Sequence, residues 1–202
     1  MIRKKLATIA SIALIPPVIA SVVITILVLM REHGSTFHQL IVWITAVLTT
    51  GGLQIAYVLY LKHLDQVSAW DVPEKEHRSQ PYLISAAISA AGLLVLLFLN
   101  ASVFLWGLLW CYTFNTIILY AINRHWKISA HMMGFTGPLV FLWPALGIWL
   151  LAAVPLAALL AWARIETRAH SFGQVIAGAA AGVVLTLAQI WILLSIVLPA
   201  FR

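Results

Sequence analysis

The sequence predicts an all-α protein, a polytopic transmembrane bundle of about six or seven spans, and three observations carry that expectation. Of the 202 residues, 63% are hydrophobic and only 9% charged, where a soluble domain carries about 25% charged residues. The apolar residues fall into runs long enough to cross a bilayer, which takes about 20 residues of helix. The longest polar stretch, residues 62–80, leaves no room for a separate extramembrane domain.

The first run, Leu6 to Met30, follows Arg3-Lys4-Lys5. Its 25 residues exceed a signal-peptide core, so it reads as a span kinked at Pro16-Pro17, where two backbone donors are missing. The second, Leu40 to Leu61, carries Gly51-Gly52, which suits close helix contact. Pro81 then fits the first turn of a helix. Tyr82 to Ile122 is 41 residues, enough for two spans joined near Asn100-Ala101-Ser102. A basic loop follows, Asn123 to Lys127, then two short helices breaking near Trp143-Pro144. After the polar segment Arg164 to Ser171, the last apolar run, Val175 to Pro199, holds Gly178 and Gly182 in a small-residue face for packing.

That reading counts seven spans, the fifth and sixth short, in two parts: residues 1–70, an N-terminal two-helix segment, and residues 71–202, the core. Two spans separate each pair of successive polar segments, so all three share a membrane face with the N-terminal residues. Ten cations lie there (Arg3, Lys4, Lys5, Lys62, Lys75, Arg78, Arg124, Lys127, Arg164 and Arg168), against Arg31 and Arg202 on the other face. The positive-inside rule makes the shared face cytoplasmic and the location the cell membrane.

Composition also excludes. One cysteine, Cys111, rules out a disulfide framework and a cysteine metal site, and its place in an apolar run suits packing. The net charge of +6 suits anionic lipid head groups. Nucleic acid is not an expected partner, because the cations are spread over short loops rather than along one face.

The polar residues that remain point to chemistry. Lys127-Ile128-Ser129-Ala130-His131 precedes an uncharged interval, and Arg164 followed by five residues and His170 succeeds it. That interval, Phe135 to Ala163, has 29 residues, about the length to leave a membrane surface and return at roughly 1.5 Å per residue. It would bring two histidines, a hydroxyl and cations to one face. Hydrolysis of a phosphate ester needs donors that hold the phosphoryl oxygens, a nucleophile and an acid for the leaving oxygen. Histidine can serve as nucleophile or acid near neutrality, and arginine's planar fork suits the phosphoryl group.

Ile128-Ser129-Ala130-His131 resembles the second signature of the type 2 phosphatidic acid phosphatase superfamily, commonly Pro-Ser-Gly-His. Arg164-(five residues)-His170 resembles the third, commonly Ser-Arg-(five residues)-His-(three residues)-Asp. The resemblance spans roughly Asp71 to Gly182. It implies that His170 is the nucleophile forming a phosphohistidine and that His131 is the general acid. Arg164 and Ser129 would bind the phosphoryl group, with no metal or other cofactor. Lys127 lies close enough in sequence to add a phosphate contact.

The departures from the family pattern differ in weight. Ala130 and Ala163 replace a Gly and a Ser, which are mild changes. Gln174 stands where an Asp would orient the nucleophilic histidine; its amide oxygen can accept the same hydrogen bond but brings no charge. Glu166 is the nearest substitute carboxylate. The first signature, Lys-(six residues)-Arg-Pro, anchored on Pro81, would fall on Pro73 and Gln80, so Lys75 and Arg78 stand in for its cations.

Singly, each residue has a plainer role. An interfacial histidine usually forms hydrogen bonds or snorkels, and His33, His38, His63, His77 and His125 are read that way. Ser129 suits an N-cap, and Arg164 a cytoplasmic helix end. Asp71, Glu74 and Glu76 balance Lys75 and Arg78, and the tryptophans suit interfacial anchoring. Jointly, Ser129, His131, Arg164 and His170 favour a lipid phosphatase acting on phosphatidate, a phosphatidylglycerol phosphate or a prenyl or polyprenyl diphosphate. The alternative is a weakened relative that binds phospholipid head groups or scaffolds a partner. A prenyltransferase would need carboxylate-rich magnesium sites, and the chain has two aspartates. A transporter would put charge at mid-span, where this chain has none.

Overall fold

A computed structural model describes residues 2–67 and 76–197. Among them there is no strand. The helices are α1 (Ile2–Ala13), α2 (Pro16–Arg31), α3 (Thr36–Val47), α4 (Leu53–His63), α5 (Ser79–Phe98), α6 (Val103–His125), α7 (Ala130–Leu146), α8 (Val154–Glu166) and α9 (Phe172–Ile192). Leu94, Phe98, Trp149, Val184 and Trp191 are among many large apolar side chains left exposed, the surface a bilayer covers.

The chain divides into two compact units, Pro16–Ile128 and a second made of Met1–Ile15 with Ser129–Arg202. The second unit joins α1 to α8, on which it packs, a pairing that the expected division at residue 70 does not contain. The helix expected from Leu6 to Met30 is accordingly broken, not just kinked, before Pro16-Pro17.

In the unit Pro16–Ile128, α5 packs along α6, and their connection turns at Asn100 (φ 55°), where the sequence suggested. A single π-helical turn, Leu48–Gly52, joins α3 to α4. Such a turn shifts backbone pairing, and here the Thr49 carbonyl accepts Gln54 Nε2 at 3.0 Å and Ser89 Oγ at 3.4 Å. Gly51 belongs to this turn, and a Cβ there would come 2.9 Å from Pro17 Cβ, which explains the Gly51-Gly52 contact. Where α2 ends and α6 begins, buried Glu32 accepts the Ser102 N–H at 2.9 Å and lies 3.1 Å from His38 Nε2. Lys62, His63, Arg124 and His125 close α4 and α6, the ends where helix dipoles favour cations.

In the other unit, α7 and α9 run in the same direction. The Ser129 N–H donates to the Gln174 carbonyl at 3.2 Å, and Thr136 Oγ1 donates to the Ala179 carbonyl at 3.0 Å. Gly178 and Gly182 permit this approach: a Cβ at Gly178 would collide with the Ser129 carbonyl, and one at Gly182 with Thr136 Oγ1. Since α8 ends a few residues before α9 starts, residues 130–166 must run out and back. The reversal begins at Gly147 (φ 54°), three residues past Pro144, because a glycine takes that left-handed conformation readily. Pro138 and Pro144 both lie inside α7.

By length and apolarity, five helices among the described residues can cross a bilayer, or six if α1 and α2 form one broken span. The expected count of seven takes α7 and α8, of 17 and 13 residues, as separate spans, whereas the five count the continuous apolar helical stretch Ala130–Glu166 once.

Candidate functional site

Five of the residues singled out in the sequence lie in the unit that contains α7, α8 and α9, and their backbone bonds explain how they are gathered. Ser129 is the N-cap of α7, and its side-chain oxygen accepts the Met132 N–H at 3.4 Å. The plain N-cap reading of Ser129 therefore holds, alongside any other role. His131 follows in the first turn; Ser129 is fully buried and His131 is 8% exposed.

Arg164 sits in the last turn of α8, where the dipole favours a cation. Its carbonyl accepts both the Ala169 N–H at 3.1 Å and the His170 N–H at 3.2 Å. One backbone oxygen thus fixes the turn that sets His170 after Arg164. Arg168 takes φ 55° within it, a left-handed conformation that L residues rarely adopt. Arg164 and His170 are both buried.

Ser171 begins α9 with a capping box. Its hydroxyl accepts the Gln174 N–H at 3.4 Å, and its own N–H donates to Gln174 Oε1 at 3.2 Å. The same Oε1 lies 3.2 Å from His170 Nδ1. An atom that accepts a backbone N–H is the amide oxygen, which has no proton to give. His170 Nδ1 is therefore the donor in this contact.

Glu166, the carboxylate that could have substituted for an aspartate, is turned elsewhere: its Oε2 lies 3.3 Å from Arg3 Nη2. Gln174 occupies the position beside His170 Nδ1.

The remaining candidates belong to the other unit or lie outside the described residues. Arg78 is buried at the start of α5 and Lys127 is half-buried after α6, both in the unit Pro16–Ile128. Lys75 lies outside the described residues. His38, read as an ordinary hydrogen-bonding histidine, does pair with Glu32.

Sequence reasoning missed Ser11. This residue of α1 is buried, and its Oγ accepts a hydrogen bond from Arg164 Nη1 at 2.7 Å. The available signal was Ala7 and Ser11, four apart in a bulky apolar run, both of which face inward.

The chemistry open to this group is anion binding with a nucleophile at hand. Helices α7 and α9 start side by side, and helix N-termini attract negative charge. Arg164 adds a full positive charge, and His170 is the buried imidazole that follows it. Among the described residues, no three His, Cys, Asp or Glu side chains are grouped to hold a metal ion. No family model, no curated protein and no solved structure matches this chain.

Proposed function

We propose that the protein is an integral-membrane lipid phosphatase of the type 2 phosphatidic acid phosphatase kind. It hydrolyses a phosphate monoester or diphosphate whose apolar tail lies in the bilayer. The observation that supports this reading is the turn that holds Arg164 and His170 together, with Gln174 Oε1 3.2 Å from His170 Nδ1.

In the proposed reaction, His170 Nε2 forms a bond to phosphorus as the bond to the lipid oxygen breaks. His131 gives that oxygen its proton. Water then attacks the phosphohistidine, His131 takes up a proton, and inorganic phosphate leaves. Arg164, Ser129 and the paired helix N-termini hold the phosphoryl oxygens, where preorganised donors contribute most to rate. By the positive-inside rule the basic helix ends would put the site on the cytoplasmic side of the cell membrane.

The test is phosphate release from phosphatidate, phosphatidylglycerol phosphate and prenyl diphosphates in detergent with EDTA present. Release by the wild-type protein and a fall of about 10³-fold or more in His170→Ala support the reading. Release that survives His170→Ala overturns the mechanism.

A second reading rests on one observation, the uncharged Gln174 beside His170. A head-group-binding protein without turnover would release no phosphate from any of these lipids. It would still bind them, and Arg164→Ala would abolish that binding.

A further inference from the structure

The signatures that suggest phosphate chemistry begin well after α1, yet α1 belongs to the same compact unit as all of the gathered site residues. We propose that Ser11 is the positioning residue for Arg164. The proposal rests on the phosphate-binding part of the reading above and extends it to a helix that carries no signature.

The geometry is specific. Arg164 Nη1 donates to Ser11 Oγ at 2.7 Å, with Ser11 4% and Arg164 3% exposed. A hydrogen bond from a charged donor is among the stronger kinds, and in a buried setting it fixes the donor's direction. Ala7, one turn earlier, is fully buried, so α1 lies close enough to α8 for a side chain as short as serine to reach the guanidinium. A second polar contact, Arg3 to Glu166, joins the same two helices at 3.3 Å; Arg3 is 75% exposed, so this pair contributes little.

The choice of serine has a consequence. A carboxylate at this position would fix Arg164 equally well but would neutralise the charge a phosphoryl group needs. A hydroxyl fixes the guanidinium and leaves its charge intact. Arginine has several rotatable bonds, and a phosphate-binding arginine held in advance loses less entropy on binding. Ser11 therefore acts on substrate affinity through Arg164.

The experiment measures inorganic phosphate binding and phosphatidate turnover together, in full-length wild type, Ser11→Ala, Ser11→Thr, Arg164→Ala and the Ser11→Ala/Arg164→Ala double variant. Phosphate affinity is read calorimetrically or from the phosphate-dependent rise in melting temperature. Loss of one such hydrogen bond should weaken phosphate binding and raise KM about fivefold to tenfold, with kcat within about twofold. Ser11→Thr, which retains the hydroxyl, should restore affinity. In the Arg164→Ala background, Ser11→Ala should add nothing further.

Wild-type turnover with unchanged phosphate affinity in Ser11→Ala, or effects that add in the double variant, overturns the positioning role and leaves the phosphatase reading standing. Ser11-dependent phosphate binding without turnover supports the positioning role and removes the catalytic reading. Absence of both phosphate binding and turnover in the wild type overturns both.

Discussion

Gln174 Oε1 stands 3.2 Å from His170 Nδ1 and 3.2 Å from the Ser171 N–H, so one amide oxygen both orients the histidine and caps α9. The two duties can be separated. Gln174→Glu retains the capping box and adds the charge that would stabilise a phosphorylated imidazole. Its kcat should rise about tenfold with an unchanged melting temperature. Gln174→Leu removes both duties. It should lower kcat about 100-fold through misplacement of His170 and cost about 1 kcal/mol as the cap is lost. Steady-state phosphate release and thermal unfolding in detergent measure both.

The α7–α9 contact should be intolerant of side chains. Gly178→Val or Gly182→Val forces the helices apart where Ser129 and Thr136 now touch, and should destabilise by about 1–3 kcal/mol. Gly173→Ala, in the first turn of α9 with nothing within 4 Å of an added Cβ, should leave the melting temperature unchanged or raise it.

Arg168 holds a left-handed conformation in the turn between Arg164 and His170. Arg168→Gly should relieve a cost of about 1 kcal/mol and raise the melting temperature, whereas Arg168→Val should lower it. Equal melting temperatures for the two variants would show that the turn does not depend on this conformation.

Glu32 ties the end of α2 to the start of α6 through the Ser102 N–H. Glu32→Ala leaves that donor without its acceptor and should cost about 1–3 kcal/mol by detergent unfolding. Glu32→Gln, which retains an acceptor oxygen, should recover most of the loss.

Orientation can be read with a single reporter cysteine. In a Cys111→Ala background, His33→Cys should react with an impermeant maleimide on intact cells, and Arg124→Cys only after permeabilisation. The reverse pattern would place the basic ends outside.

Much of the helical architecture was legible because lipid crossing demands apolar runs, and polar residues mark where they stop. The break at Asn100–Ser102 and the packing role of Gly178 and Gly182 followed from residue type alone. The reversal at Gly147 was read three residues early, since Pro144 looked like the stronger breaker. Helix α7 absorbs its prolines, whereas Gly147 takes the left-handed turn. The pairing of Ser11 with Arg164 was not legible, because it joins positions 153 residues apart and local spacing carries no information at that range. Nor was the direction of Glu166, since a carboxylate four residues before a histidine says nothing about which way it points once α1 supplies Arg3.

The pairing of α1 with α8 also sets an order of events during synthesis. At a ribosomal rate of about 5–20 residues per second, residue 11 waits roughly 8–30 s for residue 164 to be made. During that wait α1 has no α8 to lie against and exposes Ala7 and Ser11. Assembly of this unit is therefore post-insertional, completed only after nearly the whole chain has left the ribosome.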